Sequence, residues 1–446
     1  MTTIVRSPWR EPARALAAFA DEPFALGLLS DGDGERGRWS YLARHPSETL
    51  VMAPDDPRDA FAELTALIGP RRALAEDGPP FQGGVAGLAS YELGDRVERL
   101  GLARAPGWPD LACGRYEALL AFDHRRREVL GIGRDEAEAR GALAWLEEPA
   151  PAAHAGPIAR RLDAPPAAAH EVVVAEVVAR IAAGEIFQAN VARAWTGELE
   201  SRARPYDLLR RLASESPAPF AAYLRLPGLA VASNSPERFL RVTPHAHGLT
   251  AETRPIKGTV RRGRTTAEDD CLAASLAGSQ KDRAENLMIV DLMRNDLARV
   301  CRPGSVRVPA LFAVERFANV SHLVSVVTGE LAPSRTAVDL LAAAFPPGSI
   351  TGAPKVQAMR VIAAYEPPRG PFFGAMFWAG FDGGFDSSVL IRTTAFAETG
   401  NGGWRFEARA GGGVVADSQP IAERIETDHK MAAVLHALTA REPACA

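Results

Sequence analysis

Cysteine is scarce in this chain. Cys113, Cys271, Cys301 and Cys445 are scattered, with no CxxC pair and no framework spacing. That excludes a disulfide scaffold and a structural zinc site, and it points to a reducing compartment. A long apolar run is also missing. No window approaches the roughly 18–20 consecutive apolar residues of a membrane span. Arg6, Arg10, Glu11, Arg14, Asp21 and Glu22 interrupt the first 30 residues, which leaves no signal-peptide core. Neither sign of charge dominates, since 51 Lys and Arg face 55 Asp and Glu for a net charge of -4. Without a basic stripe to follow a phosphate backbone, nucleic acid is excluded as a partner. The expected setting is the cytoplasm, with no membrane contact. What remains is an ordinary globular composition, 47% hydrophobic and 24% charged over 446 residues. That length allows one large core or two to three domains.

The sharpest compositional shift falls between Glu147 and His170, in EEPAPAAHAGPIARRLDAPPAAAH. Proline supports neither a helix nor a ladder, so this stretch reads as an extended connection. It separates an N-terminal portion (1–150), a Pro/Ala-rich connection (151–169) and a C-terminal portion (170–446). Strand patterns at 38–43, 118–124, 220–226, 229–234 and 388–396, and helix patterns at 59–68, 171–184 and 282–300, come in clusters. Clusters without strict alternation favour α+β over a doubly wound sheet. FQGGVAGLASYELG (81–94), with four glycines, reads as close backbone approach or tight turns rather than a regular element. Leu287, Val290, Met293, Leu297 and Val300 mark a buried face on one helix. Ile421, Ile425, Ala432 and Leu435 mark another near the C-terminus, both by three- and four-residue spacing.

Few residues carry an obvious chemical meaning alone. Glu423, Glu426 and Lys430 share one helix face, because they stand three and four residues apart. Two carboxylates on a rigid helix suit a hard cation such as Mg²⁺; a solvated flank has the same spacing. Glu285, at the start of the other helix, is open to both readings. Lys257, in ETRPIKGTVRRG, becomes a nucleophile if burial or a cation such as Arg254 lowers its pKa from roughly 10.4. A surface lysine in a turn is the commoner case. FPPGSITGAPK (345–355) lacks the GxxxxGK[ST] spacing of a phosphate loop, which argues against a nucleotide site. Its glycines, like Gly411, Gly412 and Gly413, either offer backbone N–H groups to an anion or form a tight turn. His322 is a core histidine or a catalyst. Arg392, between apolar residues in VLIRTT, needs an anion once buried, from the protein or from a substrate.

The order of the segments is more informative than any one of them. The runs are GEIFQANVAR (184–193), SNSPERFL (233–240), TRPIKGT (253–259), DRAENLMIVDLMRNDLARV (282–300), SHLVS (321–325), PPGSITGAPK (346–355), IRTT (391–394) and AGGGVVADSQPIAERIETDHK (410–430). Through them, from about residue 170 to 437, the chain resembles the chorismate-utilising enzymes, a family that includes anthranilate, aminodeoxychorismate, isochorismate and salicylate synthases. GRWSYLARHP (37–46) and the 81–94 segment extend the resemblance more loosely into the N-terminal portion. It implies an α+β fold, a large two-sheet sandwich with helices outside like that of anthranilate synthase component I. It also implies chorismate and Mg²⁺ in a cleft of the C-terminal portion. By the same resemblance, Glu285 and Glu426 match metal-coordinating glutamates, with Glu423 close by. Glu237 matches the general acid that protonates the departing C4 hydroxyl, and Arg392 the arginine on the enolpyruvyl carboxylate. Thr351, Gly411, Gly413 and Lys430 match other substrate contacts, and His322 a histidine near the ring.

Position 257 separates products within that family. Anthranilate synthases carry alanine there (PIAGT) and aminodeoxychorismate synthases lysine (PIKGT); this chain has PIKGT. The resemblance thus implies amination of chorismate at C4. Lys257 attacks ring C2 as the C4 hydroxyl departs, and ammonia then enters at C4 and expels the lysine. The product, 4-amino-4-deoxychorismate, leads to p-aminobenzoate and folate. No catalytic-cysteine motif for hydrolysing glutamine stands in the chain, so a separate glutaminase subunit is implied as partner. The rivals are anthranilate synthase component I and a non-catalytic regulatory or amino-acid-binding subunit. Retention of Glu237, Lys257, Glu285, Glu426 and Arg392 argues against the latter. Some relatives hold tryptophan in the N-terminal portion, and Leu28, Leu29 and Ser30 match part of the border of such a pocket. Phe372 and Phe373 stand where many relatives have tyrosine, and Phe377 where glycine is usual, which implies a missing phenol contact.

Overall fold

Two antiparallel sheets frame the computed structural model, which describes residues 2–32, 34, 36–316 and 320–441. The twelve-stranded sheet runs Thr3–Pro8, Glu128–Gly133, Leu119–Asp123, Trp39–Ala43, Leu26–Leu29, Phe220–Leu226, Leu229–Ser235, Thr393–Glu398, Trp404–Val414, Gln188–Leu199 and Gly352–Ala353. Ala159–Asp163, within the Pro/Ala-rich connection, pairs with Gln188–Leu199. The ten-stranded sheet runs Ile256–Arg261, Val320–Glu330, Gly248–Thr253, Arg238–His245, Phe385–Val389, Ala375–Gly380, Gly84–Ala89, Leu111–Tyr116 and Glu48–Met52, with Arg307–Arg316 beside Val320–Glu330. Both sheets draw strands from either side of the connection. Leu26–Leu29 pairs with Phe220–Leu226, and Gly84–Ala89 with Ala375–Gly380.

The sheets pack face to face. Leu26, Tyr41, Leu224 and Val231 of one meet Ala86, Leu88, Met376 and Trp378 of the other in one buried cluster. Strand Leu229–Ser235 shows the layering residue by residue: Val231 points to the other sheet, while Ala230 and Ala232 join a second cluster under the outer helices. Strands covered on both faces read as near-continuous apolar runs, which is why they stand out in the sequence. Helices Pro205–Glu215 and Pro420–Thr439 pack on the first sheet and Gln280–Ala298 on the second. The expected α+β two-sheet architecture is the observed one. Among the described residues, no helix is long and apolar enough to cross a membrane.

Three readings change. Residues 81–94 contain a regular strand, Gly84–Ala89, followed by the 3₁₀ turn Tyr91–Gly94. A Cβ on Gly87 would lie 2.2 Å from the Ala112 carbonyl oxygen, so that glycine serves close strand packing. The apolar run 388–396 is not one strand. Phe385–Val389 belongs to the ten-stranded sheet and Thr393–Glu398 to the twelve-stranded one, with Arg392 at φ 50° between them. The buried faces of two helices also differ from the apolar pattern. Ile421, Ile425 and Ala432 are exposed and Leu435 is half-buried, while Glu423, Thr427, Met431, Val434 and Leu438 face inward. On Gln280–Ala298, Leu287 is exposed, and Ile289, Val290, Met293 and Leu297 are buried. Helix Pro420–Thr439 turns a polar stripe towards a cleft, so hydropathy alone picks the wrong side.

Candidate active site

Two crossings between the sheets frame a cavity of about 670 Å³. The outward crossing, from Leu229–Ser235 to Arg238–His245, carries Glu237; the return, from Phe385–Val389 to Thr393–Glu398, carries Arg392. The Val389 N–H donates to the Glu237 carbonyl and the Asn234 N–H to the Arg392 carbonyl, each at 3.1 Å. The crossings are thereby locked side by side, which holds Arg392 in a left-handed conformation that costs a non-glycine residue roughly 1–2 kcal/mol. Glu237, Lys257, Glu285, His322, Arg392, Gly411, Gly413, Glu423, Glu426 and Lys430 all line this cavity. Thr351 does not. It is fully buried, with its hydroxyl donating to the Pro347 and Gly348 carbonyls at 3.1 and 3.3 Å, and Ser349 stands at the wall instead.

Lys257 owes its placement to a bulge. In the pairing with Val320–Glu330, Lys257 opposes Leu323 and Thr259 opposes His322, with a register shift at Gly258. Gly258 has φ 72°, and a Cβ there would fall 2.7 Å from Leu276 Cδ1 and 2.8 Å from Asp282 Cγ. Only glycine fits, and such bulges re-aim neighbouring side chains. Lys257 Nζ lies 3.8 Å from Glu285 Oε2. Asn286, next to Glu285, donates to the Pro255 carbonyl at 3.3 Å and accepts from the Ser325 hydroxyl, tying this helix to the lysine strand. Arg254, the cation anticipated beside Lys257, is turned to Glu252 at 2.8 Å and Glu315 at 3.2 Å.

Three glutamates stand opposite lysines. Glu426 pairs with Lys430 Nζ at 2.6 Å, and the same ammonium donates to the Gly411 carbonyl at 2.8 Å. Glu423 accepts from the Ser418 hydroxyl at 2.7 Å. Burial holds Glu285 and Glu423 above the usual carboxylate range, and the charge on Glu426 adds to it; for Glu426, Lys430, Lys257 and Lys281 outweigh burial and lower its pKa. Among the described residues, no three His, Cys, Asp or Glu side chains form a ready-made metal cage. Mg²⁺ asks for less, one or two carboxylates with substrate oxygens and waters. The donor set of Glu285 and Glu426 fits that smaller requirement, and their mutual repulsion is what a dication relieves.

The acid and base properties diverge across the cavity. Burial pushes the Glu237 carboxyl up to about 7, against a hydrogen bond from Ser349 and the charges of Lys257, Lys430 and Arg392. Burial also lowers the pKa of Arg392, whose guanidinium feels Glu237 but forms no hydrogen bond or ion pair among the described residues. His322 is pushed down to about 4 by burial, with Arg392 adding, so its imidazole is neutral at pH 7. Its Nδ1 lies 2.9 Å from the Thr259 hydroxyl oxygen.

Behind the walls lies a buried charge network that motif reading missed. The Arg369 guanidinium donates to the carbonyls of Ile350 at 2.9 Å and Asn190 at 2.7 Å, and to Glu366 at 2.9 Å. Glu366 accepts from the Ala192 N–H at 2.7 Å, and Glu92 accepts from the N–H groups of Arg369 and Gly370 at 2.6 and 2.8 Å. Lys355 pairs with Asp296 at 2.7 Å beneath the Ser349 loop. Charged residues inside apolar runs were the available signal, since a buried charge requires a partner. Phe373 lines the cavity, Phe372 stacks on the Arg409 guanidinium, and Phe377 packs on Phe385 in the core.

A second cavity of about 560 Å³ lies between the sheets, with Leu28, Leu29, Ser30, Trp39, Phe220 and Trp378 among its walls. Glu237 borders the first cavity and its neighbour Arg238 borders the second.

The model for chorismate binding enzymes matches residues 28–436, and the chain belongs to that family. Within it, the chain is 39% identical over 466 residues to aminodeoxychorismate synthase component 1 of Klebsiella aerogenes, covering 98% of both proteins. It is 40% identical over 455 residues to anthranilate synthase component 1 of Streptomyces coelicolor, covering 95% of this chain and 85% of that one. The crystal structure of anthranilate synthase component I from Streptococcus pneumoniae superposes with a TM-score of 0.78 at 28% identity, covering 90% of this chain and 93% of that one.

Proposed function

We propose that the chain aminates chorismate at C4 to give 4-amino-4-deoxychorismate, with ammonia supplied by a separate glutaminase subunit. The observation that carries this reading is the meeting of Lys257, a protonatable buried Glu237 and an anion-free Arg392 in one cavity. Full-length similarity to proteins named aminodeoxychorismate synthase component 1 supports it, and the word component supports a partner.

Arg392 takes the enolpyruvyl carboxylate as its missing anion, a charge-assisted contact. Glu285 and Glu426, with Glu423 behind them, would hold Mg²⁺, which when bound would neutralise the ring carboxylate and draw electron density from the ring. Glu237 donates its proton to the C4 oxygen, which leaves as water with the C–O electron pair. In the same displacement the free amine of Lys257, its ammonium proton already released to solvent, uses its lone pair to bond Nζ to C2. The lone pair of ammonia then forms the C4–N bond, the C2–N pair returns to Lys257, and the new ammonium returns a proton to Glu237. Neutral His322 borders the ring, and Lys430, Gly411 and Gly413 complete the wall.

Relatives named anthranilate synthase component 1 match at similar identity, which keeps that second reading in view. Chromatography of the products from chorismate, Mg²⁺ and ammonium salt decides between them. Anthranilate as main product would overturn the lysine argument. For the inter-sheet cavity we assign an amino-acid ligand of tryptophan's class, on its aromatic walls and the Arg36, Arg238 and Arg241 side chains along it. Calorimetry with tryptophan tests this, and absence of binding heat would remove it. A cytoplasmic setting on the path to p-aminobenzoate and folate completes the reading.

A further inference from the structure

Nothing in the reaction as derived uses Arg369, yet its guanidinium lies directly behind the cavity wall. The residue is 2% exposed and sits between the rings of Tyr91 and Phe373, with Cζ 4.7 and 4.4 Å from their centroids. Its Nη1 donates to the Ile350 carbonyl at 2.9 Å and its Nη2 to the Asn190 carbonyl at 2.7 Å. Nε and Nη2 hold the two Glu366 carboxylate oxygens at 2.9 and 3.0 Å. Asn190, Ile350 and Phe373 all line the cavity that contains Lys257 and Glu237. One planar cation therefore touches three separate pieces of that wall from behind.

The piece closest to the chemistry is the 3₁₀ turn Gly348–Ile350. Its middle residue, Ser349, lines the cavity and hydrogen-bonds the Glu237 carboxyl. Thr351 closes the turn from within through Pro347 and Gly348, and its carbonyl accepts from the Asn190 N–H at 2.8 Å. Arg369 adds a second tie to the same strand by joining the Ile350 and Asn190 carbonyls. Glu366 extends that tie, accepting from the Ala192 N–H at 2.7 Å, and Glu92 fixes the backbone of Arg369 itself. Stability is a weak reason for such a pair, since apolar residues of equal volume often serve as well. A guanidinium does what an apolar side chain cannot, because its rigid fork sets the direction of several acceptors at once.

We propose that Arg369 is a positioning residue for the amination, holding the Gly348–Ile350 turn so that the Ser349 hydroxyl stays on the Glu237 carboxyl. This rests on the reading of Glu237 as the general acid. Burial raises the pKa of that carboxyl, and the Ser349 hydroxyl works against burial together with the charges of Lys257, Lys430 and Arg392. Those three cations stand on other elements, so the Ser349 contact is the one that Arg369 controls. The hydroxyl favours the charged carboxylate. Its loss favours the protonated form, which then persists to higher pH, and it leaves the carboxyl free to swing away from the C4 oxygen.

The test is a pH–rate profile of the full chain at saturating chorismate and Mg²⁺ with free ammonia held constant. Arg369→Lys, Ser349→Ala and the double variant are compared with the parent. Lysine keeps a charge for Glu366 and loses the fork. Each single variant should move the alkaline limb up by about one pH unit, as expected for one hydrogen bond to a charged group. For Arg369→Lys, kcat should also fall about 10- to 100-fold, as a misplacement on the order of 1 Å implies, with KM for chorismate little changed. In the Ser349→Ala background, Arg369→Lys should move the limb no further. A mere packing defect would lower kcat alike at every pH and in both backgrounds. A limb at the parental pH in either single variant, or an equal shift in both backgrounds, overturns the proposal. A parent chain without an alkaline limb overturns the general-acid reading instead. Should Arg369→Lys fail to fold, Glu366→Gln decides, because it keeps the shape and removes the charge that orients the guanidinium. A limb moved upward then supports the positioning role, and a parental limb overturns it.

Discussion

Replacing Glu237 by glutamine removes one proton donor and leaves the shape of the crossing intact. Burial pushes the folded carboxyl up to about 7 from an ordinary glutamate value of 4.5. Because the folded pKa is the higher one, the native state keeps a proton that the unfolded chain has already lost between those two values. Native stability therefore falls as pH rises through that window. At 1.36 kcal/mol per pH unit, the full shift amounts to about 3 kcal/mol. Glu237→Gln escapes that loss, so its stability relative to the parent should rise by about 3 kcal/mol between pH 4 and pH 8. The catalytic effect runs the other way. A positioned general acid contributes about 10²- to 10⁴-fold, and kcat should drop by that factor with KM for chorismate little changed. With rates expressed against free ammonia, the parent should lose activity above pH 7, tenfold per unit, and the variant should lack that limb. Urea unfolding at both pH values and a pH–rate profile check the two halves. A variant within tenfold of the parental kcat, or a stability difference that ignores pH, would refute the assignment.

Other outcomes follow from the same geometry. Lys257→Ala should lose ammonia-dependent turnover, and mass spectrometry of the quenched parent should find chorismate-derived mass on the Lys257 peptide alone. Glu285→Gln and Glu426→Gln should lose Mg²⁺ binding by calorimetry and turnover together, and full activity of the parent in EDTA would sink the metal assignment. Arg369→Leu leaves Glu366 short of its buried partner, and urea unfolding should show a loss of about 3–5 kcal/mol. Glutamine should be inert with the chain alone and become a nitrogen source once a glutaminase subunit is added.

Much of the candidate site was legible because its residues sit in runs with a fixed order. Lys257 before Gly258, Glu237 after a serine-proline pair and Arg392 within VLIRTT were each visible, and one cavity gathers them. Thr351 was also singled out, but a local turn points its hydroxyl away from the wall. The crossing at Arg392 was not legible, because buried strands of either sheet have the same apolar pattern. The face of Pro420–Thr439 was misjudged since chemistry, not hydropathy, draws Glu423 inward. Glu92 and Arg369 are 277 residues apart, so nothing local announces their pairing.

The interleaving of early and late strands has a consequence for how the chain is made. Strand Gly84–Ala89 lies between Leu111–Tyr116 and Ala375–Gly380, and the latter is synthesised about 290 residues after it. At roughly 5–20 residues per second, that strand waits about 15–60 s on the ribosome for its partner. Leu26–Leu29 likewise waits for Phe220–Leu226. Throughout that interval each has an unpaired apolar edge, a template for pairing with other nascent chains. A product ending within the 151–169 connection never closes either edge, so expression of residues 1–150 alone should yield aggregate, and soluble material should require the late strands in the same cell.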